Sequence, residues 1–476
     1  MNKGIFLNGQ EAEAGRYYEL FNPYSGAKIA NIALSSPEEM RSAIASAQEG
    51  FQRMKSLPAH RRSEILYRTA ELYKQRKEEA ARIISGEAAK PISAARSEVD
   101  RAIQTLLFSA EEAKRICGEH IPMDAAVGGE GRYAFTIRQP IGVVGAITPF
   151  NFPLNLLVHK VGPALAAGNS IVVKPAEQTP LSAFFLAELL TEAGAPQGAI
   201  SIVPGEGPAL GKVLLDDERV RKISFTGSPE VGIAIKSMAG LKKVTLELGS
   251  NSAMYIDKSV CDQLLSIAKQ AAIGAFAYSG QVCISTQRIY VHQELYSEFL
   301  RMYKDEVERI PVGDPLDERT VVSSLINAKS LNRICSWIDE AVANGAELIA
   351  GGVVKDGILT PALLSGVSPD MNISCKEVFG PVAVVQSVAD SQEAVSLMNR
   401  SRYGLNAGVF TNDLKQAMQM STELEVGQVL VNDTPSIRFD HMPYGGLKDS
   451  GYGREGVKYA VEEMTDLKMI SLRYQI

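Results

Sequence analysis

The rhythm of apolar and polar positions changes near residue 140. Residues 36–118 place apolar side chains at helical spacing between charges, which predicts mainly helices. Ser36-Pro37-Glu38-Glu39 has the make-up of a helix start: a hydroxyl cap, then proline and acids in the first turn. Residues 61–87 predict one helix, Pro91 interrupts the pattern, and residues 93–116 predict another. From Ile141 short apolar runs alternate with helical stretches. Strands are predicted at 141–148, 170–175, 200–205, 222–227 and 243–249, with helices at 154–167, 181–192, 209–215 and 230–238 between them. This alternation implies a parallel sheet with helices on both faces, and such sheets bind ligands at the carboxyl ends of their strands.

A second α/β region follows. A helix over 262–278 leads towards Cys283, a strand over 288–292 and a helix over 295–309 come next, and later strands are predicted at 382–388 and 429–432. Two pieces fit neither unit. Residues 121–139 flank Gly128-Gly129-Glu130-Gly131 and can pair as a hairpin. Residues 467–474 predict a terminal strand with no obvious local partner, a candidate for pairing between subunits.

At 476 residues the chain is long enough for two or three domains. Its 49 basic and 55 acidic residues give a net charge of −6, so electrostatics gives no reason to expect a nucleic-acid partner. The five cysteines show no CxxC spacing, which argues against a disulfide framework and against a metal centre. A reducing cytoplasm is the expected setting. The apolar stretches are too short for a signal peptide or a membrane span.

Several motifs carry chemistry. Gly205-Glu206-Gly207-Pro208-Ala209-Leu210-Gly211 follows a strand and opens a helix, as a dinucleotide-binding turn does, although the same pattern serves ordinary tight turns. Phe225-Thr226-Gly227-Ser228-Pro229-Glu230-Val231-Gly232 places a second helix start after a strand, where free N–H groups suit a phosphate. Lys174 and Glu177 end another strand; Glu177 can accept from a ribose diol and repel a 2′-phosphate, or the two can form a solvated ion pair. Glu247, between two leucines, suits a general base with a raised pKa, or a buried ion pair. Asn151 can donate to an oxyanion, or cap a helix. Cys283, behind Gly280 and Gln281, can be a nucleophile, or a core thiol.

Seven motifs in order resemble the aldehyde dehydrogenase superfamily, and the resemblance spans essentially the whole chain. They are Pro149-Phe150-Asn151-Phe152-Pro153, Lys174-Pro175-Ala176-Glu177, Phe225-Thr226-Gly227-Ser228, Leu246-Glu247-Leu248-Gly249, Gly280-Gln281-Val282-Cys283, Glu377-Val378-Phe379-Gly380-Pro381, and the run from Pro443 to Gly453. The resemblance implies a Rossmann-like cofactor domain (1–118 and 141–246), an α/β catalytic domain (247–455) and a small β oligomerisation arm (119–140 and 456–476) that builds a homodimer or homotetramer. It implies oxidation of an aldehyde to its acid with reduction of NAD, NADP being possible, and requires no metal. Cys283 is then the nucleophile, Asn151 the oxyanion donor and Glu247 the base for thioester hydrolysis. Lys174, Glu177, Gly207, Gly211, Phe225, Gly227, Ser228, Gly232, Leu248, Glu377 and Phe379 surround the cofactor, Glu377 holding the nicotinamide ribose. A cofactor-free thiol hydrolase or acyltransferase, and a silent binding protein on the same fold, are the rival readings.

Two departures stand out. Phe150 occupies a position that is tryptophan in many members, and Ser250 replaces the second glycine of the usual Leu-Glu-Leu-Gly-Gly. In tone the chain resembles lactaldehyde-, glyceraldehyde- and phosphonoacetaldehyde-type members, which implies a small polar, even anionic, aldehyde. His159 and Arg438 are the side chains expected to meet it, unless Arg438 pairs with Asp440.

Overall fold

The computed structural model describes residues 2–474; Met1, Gln475 and Ile476, at the ends of the expected domain ranges, lie outside the described residues. The N-terminal helices are α1 (Pro37–Ser56), α2 (Ala59–Gln75), α3 (Lys77–Ala88) and α4 (Ile92–Glu112). Ser36 and Glu39 close a reciprocal capping box on α1, as its first residues predict. The single helix expected over 61–87 is broken at Arg76, which leaves helical geometry at φ −111° and ψ 27°. Its guanidinium lies 4.5 Å from the centre of the Phe185 ring and bonds both oxygens of Glu79 across the break. Those contacts hold a kink that no glycine or proline announces.

The first sheet has eight strands. Its five central ones are parallel, in the spatial order Lys243–Glu247, Val220–Thr226, Val143–Ile147, Ser170–Lys174, Ile200–Ile202. Antiparallel edges are added by Gly451–Tyr452 on one side and by Ile5–Leu7 with Gln10–Ala12 on the other. Four helices alternate with the central strands: α5 (Asn155–Ala166), α6 (Leu181–Glu192), α7 (Gly207–Asp216) and α8 (Pro229–Met238). Side chains alternate between two cores. Val144, Ala146, Ile171 and Val173 pack with α2 to α6, whereas Val143, Val172, Ile223 and Val244 pack with α1, α7 and α8. A sheet covered on both faces has no polar side, which is why its strands read as continuous apolar runs.

The second sheet has seven strands, in the order Glu347–Ala350, Ala362–Ser365, Val382–Val388, Arg288–His292, Ala253–Ile256, Asn406–Phe410, Gln428–Val431; all adjacent pairs but the first are parallel. Helix α9 (Leu264–Phe276) lies against it. The helix expected to reach residue 278 stops at Phe276, because Tyr278 and Ser279 take left-handed geometry at φ 50° and 55°.

The third sheet changes one expectation. His120–Ile121 and Arg132–Pro140 form the predicted hairpin, around a short 3₁₀ turn at Met123–Ala125. The terminal strand Thr465–Arg473 does have a partner in its own chain: it runs antiparallel to Arg132–Pro140 in unbroken register from Thr465↔Pro140 to Arg473↔Arg132. The two segments are more than 300 residues apart, so local pattern could not pair them. The terminal strand leaves its outer edge open. No helix among the described residues is long and apolar enough to cross a membrane.

Candidate active site

Parallel register brings the carboxyl ends of the first sheet's strands to one side. Asn151 follows the strand ending at Ile147, and Lys174 closes its neighbour. Gly207 opens α7, Gly227 and Ser228 lead into α8, and Glu247 is the last residue of its strand.

Asn151 does not cap α5. That helix start is served by Glu98 of α4, whose Oε1 accepts from the N–H groups of Leu154 and Asn155 at 2.9 and 3.0 Å. The amide of Asn151 is free to reach elsewhere, and it donates to the carbonyl of Gln281 at 3.0 Å, two residues before Cys283. Its backbone carbonyl is held by Lys90 Nζ, which is also paired with Glu98 and lies 3.5 Å from the centre of the Phe152 ring.

The loop carrying Cys283 is anchored on all sides. Gly280, at φ 66°, lies where a Cβ would come within 2.1 Å of the Gly380 carbonyl, so only glycine lets this loop rest on the segment of Glu377 and Phe379. Ser279 exchanges two bonds with the backbone of Ser323, and Gln281 accepts from Ile326 N–H. Cys283 is partly exposed, and its Sγ lies 3.1 Å from the hydroxyl of Tyr444. Burial pushes the thiol up to about 11, against the pull of Tyr444 and Arg438.

Glu247 is buried, and neither carboxylate oxygen has a hydrogen-bond partner. The buried ion pair that its position allowed does not form. Its pKa is raised well above the usual carboxylate range, first by burial and then by the charge of Glu455. A buried acid with a raised pKa and no hydrogen-bond partner among the described residues marks a candidate functional group rather than a structural ion pair.

Lys174 Nζ and the N–H of Gly207 both bond Glu177 Oε1, at 2.7 and 2.9 Å, so the strand-end pair exists and also grips the start of α7. Glu177 Oε2 takes no hydrogen bond among the described residues and the side chain is 40% exposed, so the carboxylate could accept from a diol. Ser228 caps α8. A Cβ at Gly232 would strike Leu248 at 2.3 Å, and one at Gly227 would strike the Phe225 ring at 2.5 Å; these four residues set how closely α8 lies on the sheet. Gly211 has room for a side chain. Glu377 Oε1 accepts from Ser250 N–H at 2.9 Å, and a Cβ at Gly249 would meet Glu377 Oε2 at 2.5 Å. Burial pushes the Glu377 acid up to about 7. Ser250 turns its hydroxyl to Ser252, away from that contact. Phe150 meets Phe379 edge-on at 5.6 Å. Two carboxylates flanking two helix starts, one of them hemmed in by glycines, fit a dinucleotide: diol acceptors at each end and N–H groups between them.

The two residues expected to meet the substrate are engaged internally. His159 is 1% exposed and its Nε2 lies 2.9 Å from Asp440 Oδ1. Arg438 pairs with Glu455 at 3.0 Å, not with Asp440, and stacks 3.7 Å from the centre of the Tyr444 ring. Asp440 is shared instead by His159, Asn155 and the partly exposed Arg101, whose guanidinium grips it at 2.7 and 3.2 Å. Lys160 joins Glu455 to Thr226, at 2.8 Å each. The sequence motifs assign no role to Tyr444, Arg101, Lys160 or Glu455. Only Tyr444 carried a signal there, as part of the run 443–453, whose Gly451 and Tyr452 pair beside Glu247 and Leu246.

Comparison with known proteins agrees with this geometry. The profile of the aldehyde dehydrogenase family matches residues 10–470. The 3-sulfolactaldehyde dehydrogenase of Priestia aryabhattai is 45% identical over 98% of both chains. The lactaldehyde dehydrogenase of Methanococcus aeolicus is 39% identical over 98% of this chain and 99% of its own. The NADP-dependent glyceraldehyde-3-phosphate dehydrogenase of Bacillus halodurans, solved with NADP, superposes with a TM-score of 0.97 at 37% identity, covering 100% of both chains. Matched by the family profile over residues 10–470 and by relatives along nearly its whole length, the chain belongs to the aldehyde dehydrogenase family.

Proposed function

We propose that this enzyme oxidises a small aliphatic aldehyde carrying an anionic group to the carboxylic acid, with NAD as the preferred acceptor and NADP as a usable one. The observation that carries the chemistry is the unpartnered, buried carboxyl of Glu247 close enough to Cys283 to disfavour its thiolate. The thiolate of Cys283, formed by loss of its proton to solvent, attacks the carbonyl carbon, and the C=O π electrons pass to the oxygen, whose charge the Asn151 amide and the Cys283 N–H are suited to hold. Lys174 and Glu177 would hold the adenosine ribose, Gly227 and Ser228 the pyrophosphate, and Glu377 the nicotinamide ribose. The bound nicotinamide supplies the hydride acceptor that lets the adduct become a thioester on sulfur. Glu247 then takes a proton from water, the hydroxide attacks the thioester carbon, and the C–S bond breaks to release the acid.

Support for a small polar, even anionic, substrate comes from relatives named for sulfolactaldehyde and lactaldehyde; Arg101, partly exposed near Phe152, is a candidate contact although Asp440 already pairs with it. Preference for NAD rests on Glu177, whose negative charge Lys174 offsets without removing. In this reading residues 1–118 and 141–246 bind the cofactor, 247–455 complete the catalytic side, and the three-stranded sheet joins subunits in a cytoplasmic homo-oligomer.

The test is a panel of 3-sulfolactaldehyde, lactaldehyde, glyceraldehyde, a long-chain aldehyde and benzaldehyde, read by absorbance of the reduced nicotinamide with NAD and with NADP. Short polar aldehydes should react, with the lower KM for NAD, and Cys283→Ala should be inert. Activity confined to long-chain or aromatic aldehydes overturns the substrate class; a clear preference for NADP overturns the role given to Glu177.

A further inference from the structure

We propose that the hydroxyl of Tyr444 is the donor that favours the thiolate of Cys283 when it forms, and that Arg438 is the positioning residue that fixes this tyrosine. The inference rests on the function proposed above and adds two residues to it.

Tyr444 is 1% exposed, and its hydroxyl makes one hydrogen bond, the 3.1 Å contact with Cys283 Sγ. No other hydrogen bond reaches that sulfur among the described residues. In the neutral pair either group can donate. A thiolate can only accept, so the phenol then donates, and a hydrogen bond to a charged acceptor is about twice as strong as one between neutral groups. The bond therefore strengthens when the nucleophile forms, which is the condition for it to favour the reactive state.

The groups facing the sulfur divide cleanly. Tyr444 and Arg438 favour the thiolate, while burial, Glu377 and Glu247 oppose it. Tyr444 keeps its own proton: burial comes first, the charges of Cys283 and Glu247 add to it, and Arg438 alone opposes. The phenol thus stays a donor over the working range.

Its position is set from behind. The Arg438 guanidinium lies 3.7 Å from the centre of the ring, and its Nη2 is tied to Glu455. Glu455 is held in turn by Lys160, and its backbone exchanges two bonds with the backbone of Tyr444, at 3.0 and 2.7 Å. Ring, guanidinium and carboxylate form one buried stack ending at the sulfur. Phenylalanine at 444 would keep the ring and the stack and remove only the donor.

The experiment is alkylation of the cofactor-free protein by iodoacetamide as a function of pH, with the Cys283 adduct followed by peptide mass spectrometry to separate it from the exposed Cys117 and Cys261. Tyr444→Phe should move the alkylation midpoint up by about one pH unit, so that the rate below it falls roughly tenfold, and should converge with the parent at the alkaline plateau. Arg438→Lys, which keeps the charge for Glu455 but loses the flat stack, should shift it less and in the same direction. A Tyr444→Phe profile that superimposes on the parent, or that keeps the parent's midpoint with a lower alkaline plateau, overturns the proposal; an unmoved Arg438→Lys profile overturns the part given to Arg438. Retained aldehyde oxidation by Cys283→Ala would instead overturn the function on which it rests, whatever Tyr444→Phe does.

Discussion

A carboxylic acid sealed from water without a partner keeps its proton until something nearby makes losing it worthwhile. Glu247 is in that condition, and two outcomes follow from its replacement by glutamine. Catalytically, Glu247→Gln should still form the thioester, giving a burst of about one equivalent of reduced cofactor, while steady turnover falls roughly a hundredfold to ten-thousandfold in stopped-flow traces. The turnover of the parent should climb with pH through the raised pKa, since only the ionised acid accepts a proton. Structurally, the folded pKa lies above the unfolded value of 4.5, so the contribution of this acid to stability is complete below that value and is lost as pH rises through the folded pKa. The glutamine variant should therefore gain most in melting temperature over the parent at alkaline pH; an equal gain at every pH would contradict the assignment. Cys283, Glu247 and Asn151 could be named as candidates because each sits in a short run of chain that singles it out. Roles for Tyr444, Lys160 and Glu455 could not be read, because a tyrosine and a buried ion pair acquire meaning only from contacts made 161 and 295 residues away. Arg438 was legible as a charge near the site but not as the support of an aromatic ring.

Helices and strands with a strong period emerged from the sequence close to where they lie, and what escaped was how they end. The kink at Arg76 and the stop at Phe276 contain no glycine or proline at the breaking residue; one is held by a ring and a carboxylate, the other by left-handed geometry at Tyr278 and Ser279. Edge strands of two or three residues are too short to carry any period. Helix starts escaped for a similar reason. Proline stands at the cap position of α6, and leucine at that of α5. Neither has a capping side chain, because Glu87 and Glu98 supply the acceptors from the N-terminal helices. Glu98 also balances Lys90, a fully buried ammonium whose pKa burial lowers to about 8 against the pull of its partner. Glu98→Gln strips that charge of its counter-ion and weakens the cap of α5. It should lower the unfolding free energy by about 3–5 kcal/mol, measured as a drop in urea midpoint at unchanged slope. A loss no larger than that of an exposed ion pair would show that the cap and the pair are redundant.

At the scale of the whole molecule, the last strand stands at the edge of its sheet. It is paired along one edge for nine residues and open along the other, and Leu467, Met469, Leu472 and Tyr474 all stand more than half exposed. Open edges with apolar side chains recruit partners. Sedimentation should therefore find more than one chain per particle, and Leu467→Asp combined with Leu472→Asp should shift it towards single chains; a parent that sediments as one chain at micromolar concentration contradicts the oligomer. The division into two sheets was legible from the alternation of strand and helix. The pairing of residues 132–140 with 465–473 was not, because chain ends so far apart carry no shared pattern. The borrowed caps have a consequence on this scale too. Glu87 and Glu98 precede the helices they serve by 94 and 56 residues, so the acceptors leave the ribosome before the N–H groups that need them. Vectorial synthesis thus hands each new helix a waiting counterpart, whereas a chain begun after residue 100 would have to bury two bare helix starts.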